Sequence, residues 1–296
     1  MDTTTPTVSI NLCCYNSEQF LRETLASIAG QTWKDWELII VNDGSTDGTE
    51  AIVLDFLRQG FPVKYICQEN KGLGEARNRA LVESSGRYIA FIDHDDLWLP
   101  PMLSEMVGFL DSHPSLVLAF CDSEHFDEQN RTIRTEFEPF PIDRIDLRRG
   151  KVAKELVVKH CFIKPLSALA RLEAIRLVGG VNENLCFAED YDLWLRLGAI
   201  GDFGVMRKVL ARYRRHSNQL TSRLGARKVE EQLFAYISAL RHFNKLDRAQ
   251  VLFSVVARRV AKYALLSIKE DSFLKNITQL VRGFPQYKRS KSYEQS

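Results

Sequence analysis

The amino-acid sequence predicts an α/β protein in which a mostly parallel, twisted sheet is flanked by helices on both faces. Two observations lead to this fold class. Short apolar runs of strand length alternate along the chain with stretches of helical periodicity. The composition, with 45% hydrophobic and 26% charged residues, is that of an ordinary globular protein. The chain has 296 residues, which suits one large α/β domain or a domain with an appendage.

Five apolar or β-branched runs have the length of buried strands. In chain order they are residues 8–14, 36–41, 62–67, 87–92 and 115–121. Runs this short and this continuously apolar are typical of strands that are covered on both faces. We therefore expect them to form the predicted sheet.

Helical patterns lie between these runs, at residues 17–28, from Asp47 onward, and at residues 76–84 and 101–110. In the first pattern, Leu21, Leu25 and Ile28 recur on one face. Asp47, followed three residues later by Glu50, indicates a helix start of the capping-box type. Strands that alternate with helices imply crossover connections, and hence parallel strands.

The chain divides into two parts of opposite charge. Residues 1–225 carry 26 Lys and Arg against 32 Asp and Glu, whereas residues 226–296 carry 14 against 6. Within the first part, the charged and proline-containing residues 122–150 predict a hairpin and a surface loop. We predict an α/β domain at residues 1–225, followed by a basic helical extension at residues 226–296.

Global properties exclude several classes of protein. The formal net charge of +2 is too small for a protein that coats nucleic acid, so no nucleic-acid partner is expected. The six cysteines form no CxxC pair and are expected to be reduced. No run approaches the roughly 18 apolar residues of a membrane span, and the first residues lack the pattern of a signal peptide. We expect a cytoplasmic protein, at most peripheral at the inner face of a membrane.

Polar residues follow three of the predicted strands directly. Tyr15 and Asn16 follow the first, Asp43 lies in the turn after the second, and the sequence Asp-His-Asp-Asp at residues 93–96 follows the fourth. In an open parallel sheet, ligands bind beyond the carboxyl ends of the strands. We therefore expect these residues to share one crevice.

The aspartates at 93, 95 and 96 would repel one another in a desolvated site. Carboxylate oxygens favour hard divalent ions such as Mg²⁺ or Mn²⁺, which could compensate that charge. The alternative is that Asp95 and Asp96 cap the helix beginning near Pro100, or lie in a solvated turn. Because the Asp43 turn is expected at the same edge of the sheet, the metal site is favoured.

A second acidic cluster, residues 189–192, opens an apolar periodic segment. Acidic side chains at a helix start are favoured by the helix dipole, so Glu189 or Asp190 could be a simple N-cap. The functional alternative is a carboxylate that acts as general base toward an acceptor hydroxyl. Spacing alone does not choose between them.

Other well-known phosphate and nucleophile motifs are missing or poorly matched. Residues 72–77, with the sequence GLGEAR, begin like a dinucleotide fingerprint but end in Arg77 and follow the third strand instead of the first. The sequence contains neither GxxxxGK[ST] nor GxSxG. A dehydrogenase, a P-loop NTPase and a serine hydrolase with a nucleophile elbow are therefore disfavoured.

Four segments together resemble the family 2 inverting glycosyltransferases of GT-A fold. They are residues 8–49, 70–81, 86–100 and 188–197. The resemblance extends from about residue 8 to residue 221. It implies a GT-A nucleotide-diphospho-sugar transferase fold and the transfer of a sugar from a nucleoside diphosphate donor, commonly UDP-linked, to a hydroxyl of a glycan or lipid-linked acceptor.

The resemblance also implies roles for residues of the donor site. The base and ribose of the donor would lie against Tyr15, Asn16 and Asp43. Arg77 would reach toward the base or the phosphates.

The same resemblance assigns the reacting centre. Asp93 and Asp95 match the DxD carboxylates, which engage the ribose and the diphosphate-bound Mn²⁺ or Mg²⁺, and Asp190 matches the catalytic base. The QxxRW-like motif of processive members is replaced by the sequence at residues 212–219, which resembles the non-processive branch. There Arg214 would contact the diphosphate and His216 the metal, unless both belong to a solvated basic loop.

The basic extension leaves two alternatives open. Apolar and basic residues interleave at residues 253–269, which is typical of a helix lying on an anionic membrane surface. Alternatively, such a helix packs on the catalytic body or in a homodimer interface, with its basic side in water.

Two rival functions are weighed against the glycosyltransferase. A nucleotidyltransferase that makes nucleotide sugars would open with a Gly-rich, Arg-containing loop after the first strand, where this chain has residues 13–17, CCYNS. A non-catalytic nucleotide-sugar-binding protein would tolerate the loss of Asp190. The carboxylate that is present there favours catalysis.

Overall fold

The computed structural model describes residues 5–140, 142–159, 161–219 and 231–236. The strands in these residues are β1 Val8–Cys14, β2 Trp36–Asn42, β3 Val63–Cys67, β4 Tyr88–Asp93, β5 Leu97–Trp98, β6 Leu116–Asp127, β7 Thr132–Thr135, β8 Ala168–Arg171 and β9 Asp202–Arg215. All nine belong to one sheet, in the order β3-β2-β1-β4-β8-β6-β9-β5, with β7 paired to β6.

The sheet is mixed: six of its nine strands run in one direction, as predicted, but only four of its eight pairings are parallel. Strands β1 to β4 pair in parallel with one another, and β6 pairs in parallel with β9. Strand β8 pairs antiparallel with both β4 and β6, so β6 and β9 run in the direction of the first four strands. Strands β5 and β7 run the opposite way: β5 pairs antiparallel with β9, and β7 pairs antiparallel with β6.

Seven α-helices connect the strands of the described part. They are α1 Leu21–Ala29, α2 Thr49–Leu57, α3 Leu73–Glu83, α4 Met102–Ser112, α5 Lys151–Lys159, α6 Leu172–Leu177 and α7 Glu189–Ile200. Residues 231–236 are also helical. The N-cap of α2 is Gly48, so the predicted capping box at Asp47 was wrong by one position, although Asp47 accepts a hydrogen bond from the N–H of Thr49.

Alternation along the strands places a hydrophobic core on each face of the sheet. In β1, Val8, Ile10 and Leu12 pack with residues of α1, α2 and α4. Cys13, on the opposite face, packs with Ala76 of α3. The second large cluster, beneath α5 and α7, includes residues of the 231–236 segment. Helices therefore cover both faces, as expected for an α/β fold.

The regions of low periodicity contain more regular structure than their patterns suggest. Residues 122–150 do contain the predicted hairpin, formed by β6 and β7, but β6 continues to Asp127.

All six cysteines are free. No helix in the described ranges is long and apolar enough to cross a membrane. Of the predicted basic extension at residues 226–296, only 231–236 lies within the described residues, so its membrane and homodimer alternatives fall outside them.

Candidate active site

The carboxyl ends of β1, β2 and β4 form one edge of the sheet. The register pairs Cys14 with Asn42 and Cys13 with Asp93, so the three strands end side by side. The residues that follow them, among them Tyr15 and Asp43, are therefore neighbours across this edge. The predicted residues thus lie at one edge of the sheet, and a ligand crevice there stays a prediction.

The turn after β1 holds an exposed aromatic ring on a constrained backbone. Tyr15 is 41% exposed, although it directly follows a fully buried strand. Asn16 has a φ of 49°, in the left-handed region, which asparagine tolerates better than most residues. The Oδ1 of Asn16 accepts a hydrogen bond of 2.9 Å from the N–H of Thr46, and its N–H donates to Ser45 Oγ at 3.0 Å. These bonds join the turns after β1 and β2.

Asp43 organises the loop that leads into α3. Its Oδ1 accepts hydrogen bonds from Gln68 Nε2 at 2.8 Å and from the N–H of Lys71 at 2.9 Å. Its Oδ2 accepts one from the N–H of Gly72 at 2.7 Å. Asp43 is only 4% exposed, so this carboxylate is held in a fixed orientation at the edge of the crevice.

Residues 93–96, at the end of β4, form a tight turn in which Asp95 and Asp96 are buried, and not a helix cap. The N–H of Asp96 donates to the carbonyl of Asp93 at 3.2 Å. Helix α4 begins only at Met102, and its N-cap, Pro101, has no side-chain capping bond. Asp96 is fully buried, and this burial, together with the charges of Asp95 and Asp93, raises its pKa well above the ordinary value. The capping and solvated-turn alternatives were therefore wrong for Asp96.

Asp95 and His216 form a contact between the β4 turn and the end of β9. His216 Nε2 lies 2.8 Å from Asp95 Oδ2. Burial opposes ionisation of Asp95, yet the hydrogen bond from His216 keeps its pKa below the ordinary value. The His216 ring also packs on Phe20, with 4.9 Å between ring centroids. His216 Nδ1 is buried and has no hydrogen-bond partner among the described residues.

This carboxylate and imidazole pair fits a divalent cation. Oxygen and imidazole nitrogen are ligands that Mn²⁺ accepts, and Mg²⁺ is commonly held by one or two carboxylates plus substrate phosphates. In the described ranges, no three His, Cys, Asp or Glu side chains are grouped into a complete protein-only metal site. Asp95 and His216 stay predicted metal ligands, and an ion held by this pair would need further oxygens from a ligand.

Arg214 lies beneath the aspartate turn, so the solvated-loop alternative was wrong for this residue. It is 4% exposed, and its guanidinium lies between the rings of Phe20 and Phe126, at 4.4 and 4.7 Å from their centroids. Its Nε donates to the carbonyl of Asp95 at 2.9 Å, and its Nη2 pairs with Glu23 at 2.8 Å. Its backbone N–H donates to Asp96 Oδ1 at 3.0 Å. A contact of Arg214 with the diphosphate stays a prediction.

Arg77 joins the two acidic clusters. Its Nη2 lies 2.8 Å from Asp93 Oδ1, and its Nη1 lies 2.5 Å from Glu189 Oε1. Its carbonyl accepts a hydrogen bond of 2.9 Å from Asn11 Nδ2, so β1 fixes the helix that carries it. The predicted reach of Arg77 toward a donor base stays a prediction, since its guanidinium here faces the two carboxylates.

Asp190 lies in the first turn of α7, beside this arginine. Burial raises the pKa of Asp190, while the nearby charges of Arg77 and Lys164 lower it. Its Oδ1 accepts a hydrogen bond of 2.6 Å from the N–H of Tyr191. Burial likewise raises the pKa of Glu189, with a contribution from the charges of Asp190 and Asp93, although Arg77 lowers it. A carboxylate with a raised pKa is suited to accept a proton near neutral pH.

Sequence reasoning missed Lys164, which contributes positive charge near Asp96 and Asp190. Its side chain is 30% exposed, and its Nζ lies 3.9 Å from Glu136 Oε2 and 5.1 Å from the centre of the Tyr213 ring. Charge interactions connect it to both Asp96 and Asp190. The only sequence signal was a single lysine in an otherwise apolar stretch, residues 161–170.

The family is decided by a family model described as "Glycosyl transferase family 2", which matches residues 9–169, more than half of the chain. The chain belongs to glycosyltransferase family 2. The predicted resemblance and the enzyme class, a glycosyltransferase, are thereby confirmed. The matched region includes six of the predicted site residues, namely Tyr15, Asn16, Asp43, Arg77, Asp93 and Asp95. It ends before Asp190, Arg214 and His216.

Relatives and solved structures agree with this family. An uncharacterized glycosyltransferase of Rickettsia typhi is 27% identical over 93% of this chain and 80% of its own length. Residues 1–349 of Staphylococcus aureus TarS, solved with UDP-GlcNAc, match with a TM-score of 0.72 and 20% identity over 94% of this chain and 82% of that one. The mannosyltransferase PcManGT of Pyrobaculum calidifontis, solved with GDP-Man and Mn²⁺, matches with a TM-score of 0.65 and 17% identity over 96% and 83%. The family 2 glycosyltransferase therefore has the predicted GT-A fold.

Proposed function

We propose that this family 2 glycosyltransferase is a metal-dependent, inverting enzyme that transfers one sugar per encounter. The donor is a nucleoside diphosphate sugar, UDP-linked by preference, and the acceptor is a hydroxyl of a glycan or of a lipid-linked glycan. UDP-GlcNAc in TarS and GDP-Man with Mn²⁺ in PcManGT support the donor class and the cation.

The observation that carries the proposal is the bridge made by Arg77. One guanidinium pairs with Asp93 of the aspartate turn and with Glu189, the neighbour of Asp190. We assign the carboxylate-rich end of β4 to a donor wall and the start of α7 to an acceptor wall, and this pairing brings the two together. A transferase of this kind needs such a pair of walls, because the leaving group and the attacking hydroxyl lie on opposite sides of the anomeric carbon.

On the donor wall, each residue has a binding role. The exposed ring of Tyr15 offers a face on which the nucleobase stacks. Asn16 holds the adjoining turns together, and Asp43 fixes the loop that borders the base and ribose. Asp93 faces the ribose, while Asp95 and His216 would hold Mn²⁺ or Mg²⁺. When bound, the cation supplies Lewis-acid stabilisation of the charge that develops on the departing diphosphate.

On the acceptor wall, Asp190 takes the proton of the attacking hydroxyl. That oxygen forms its bond to the anomeric carbon as the bond to the diphosphate oxygen breaks, and the nucleoside diphosphate leaves with the electron pair. A single displacement inverts the anomeric centre and needs one base, in contrast to the two carboxylates of a retaining glycosidase. The raised pKa of Asp190 suits this role.

The first experiment compares Asp190→Asn with Asp55→Asn, an isosteric change at an exposed carboxylate of α2 that pairs with Arg22. Asp190→Asn is expected to keep the affinity for UDP-sugar within about twofold and to lower turnover by about 10²- to 10⁴-fold. Asp55→Asn should leave both unchanged. Turnover of Asp190→Asn near that of the unaltered enzyme would show that Asp190 is not the base.

Donor and stereochemistry need separate measurements. A thermal-shift screen of UDP-, GDP- and dTDP-sugars, with and without Mn²⁺, should give a selective rise in melting temperature for the true donor, because a ligand of the folded state stabilises it by mass action. Proton NMR of the first product should then show an anomeric configuration opposite to that of the donor. Retention of configuration would reject the single displacement.

A further inference from the structure

A buried glutamate from the segment 231–236 holds the loop that precedes α7. Glu231 is 1% exposed. Its Oε2 lies 2.9 Å from the backbone nitrogen of Cys186, 2.7 Å from that of Phe187 and 3.4 Å from that of Ala188, and all three N–H groups point to it. One carboxylate oxygen thus gathers three consecutive backbone donors, 43 to 45 positions away in sequence.

The three donors lie at and just before the N-cap of α7, so Glu231 holds the chain as it enters the helix. Ala188 is the N-cap residue of α7 and has no side chain that can accept a hydrogen bond. A carboxylate near the first turn of a helix is stabilised by its backbone N–H groups and by the helix dipole. Glu231 therefore fixes the backbone up to two residues before Asp190. The position of this backbone determines where the side chain of Asp190 lies.

The segment that carries Glu231 is itself firmly packed on α7. Leu233 and Tyr236 are fully buried. The Tyr236 ring meets that of Tyr191 edge to face, with 5.3 Å between centroids and 87° between planes. Tyr191, the residue after Asp190, donates from its hydroxyl to the carbonyl of Leu156 at 2.7 Å. The loop before Asp190 and the residue after it are thus both held by buried contacts.

We propose that Glu231 is a positioning residue for the catalytic carboxylate. It acts through the backbone of residues 186–188 and sets where Asp190 meets the acceptor hydroxyl, without touching the donor. The proposal rests on the assignment of Asp190 as the base. It gives the 231–236 segment, which lies outside the family match at residues 9–169, a part in the reaction.

Variants of Glu231 separate its acceptor oxygen from its bulk and charge. Glu231→Gln keeps an oxygen that accepts hydrogen bonds and should retain at least half of kcat. Glu231→Asp keeps the charge but withdraws the oxygen by one methylene, and should lower kcat by about 10-fold, since small misplacements of reacting groups are costly. Donor affinity, measured by UDP calorimetry, should stay within twofold in both. Equal kcat values for Glu231→Asp and the unaltered enzyme would overturn the proposal, as would a Glu231→Gln variant no better than Glu231→Asp.

Phe56→Ala is the control for stability. Phe56 is 4% exposed and lies in the cluster on the other face of the sheet, so the melting temperature of this variant should fall at least as far as that of Glu231→Asp while kcat stays within twofold. If Phe56→Ala lowers kcat as much as Glu231→Asp does, loss of stability alone explains the effect and the proposal fails.

A double variant distinguishes this proposal from that of the base. If Glu231 acts through Asp190, Glu231→Asp should lower kcat no further in an Asp190→Asn background, because groups that act as a unit are not additive. A further 10-fold loss there would overturn the positioning role alone. Full turnover by Asp190→Asn alone would instead overturn the proposed function.

Discussion

Arg77 Nη1 donates a buried hydrogen bond of 2.5 Å to Glu189 Oε1, which joins residues 112 positions apart. The arginine is 4% exposed and the glutamate 3%. The second arm of the same guanidinium holds Asp93, so α3, β4 and α7 meet at one cation. An arginine is suited to this place because its planar fork presents several donors in fixed directions, whereas a lysine is a single point charge.

Replacing this arginine by lysine should therefore leave one carboxylate without a partner. We expect Arg77→Lys to lower the free energy of unfolding by about 1–3 kcal/mol, the cost of a buried polar group left unsatisfied, and to lower kcat through displacement of α7. Denaturant unfolding and steady-state kinetics would measure the two effects.

The matched control for this change lies two positions along the same helix. Arg79 is half exposed and pairs with Glu83 at 3.2 Å. Surface ion pairs of this kind contribute little, so Arg79→Lys should change stability by less than about 0.5 kcal/mol. Equal effects of the two substitutions would contradict a bridging role for Arg77.

The raised pKa of Glu189 predicts a dependence of stability on pH. Burial raises this pKa from 4.5 to about 8, against Arg77, which lowers it, and with Asp190 and Asp93, which also raise it. The folded protein therefore keeps a proton on Glu189 at pH values where the unfolded chain has lost it. Stability from this group is present below pH 4.5, falls as the pH rises through this window, and levels off above about 8.

Glu189→Gln removes the titrating group, so the free energy of unfolding should decline less as the pH rises. The free energy of unfolding, measured between pH 5 and 8, should fall less steeply in the variant, by at most about 1.4 kcal/mol per pH unit for one proton. A residual decline should persist, because Asp96 and Asp190 also have raised pKa values. Parallel curves for the two proteins would show that Glu189 is ionised throughout.

The pair of Asp95 and His216 predicts how donor binding depends on metal. Asp95→Ala and His216→Ala should each weaken UDP binding at least 10-fold in the presence of Mn²⁺ and change it little in the presence of a chelator. His113→Ala, at an exposed histidine at the end of α4, is the control and should bind as the unaltered enzyme does. Calorimetry that finds unchanged UDP affinity in Asp95→Ala with Mn²⁺ would contradict the ligand assignment.

The sequence predicts the first half of the sheet well because its strands are buried on both faces. Strands β1, β2 and β4 are predominantly apolar runs, and the structure places them within one residue of their predicted bounds. Strand β9 was not predicted. It carries Arg207, Lys208, Arg212 and Arg215, and pairing with β6, not its own pattern, makes it a strand.

The candidate site likewise contains residues whose places the sequence predicts and residues whose contacts it does not. The positions of Tyr15, Asp43 and Asp93 follow from the rule that ligands bind where parallel strands end. The partners of Arg77 and the contacts of Glu231 join residues far apart in sequence, and no local pattern encodes them. The burial of Arg214 is a further case, because its sequence neighbourhood is strongly basic and resembles a surface loop.

Gly44 gives the sharpest test of the donor wall, because the chain contains a matched glycine. Gly44 and Gly60 have nearly the same left-handed φ, 79° and 80°, so a Cβ atom adds about the same backbone strain at each, roughly 1–2 kcal/mol. At Gly44 that atom would also lie 2.7 Å from the backbone nitrogen of Asn70, in the loop that Asp43 holds, whereas at Gly60 nothing lies within 4 Å. Gly44→Ala should therefore weaken UDP binding at least 10-fold, and Gly60→Ala should leave it unchanged although it adds the same backbone strain. Equal UDP affinities in the two variants would show that this loop does not shape the donor site.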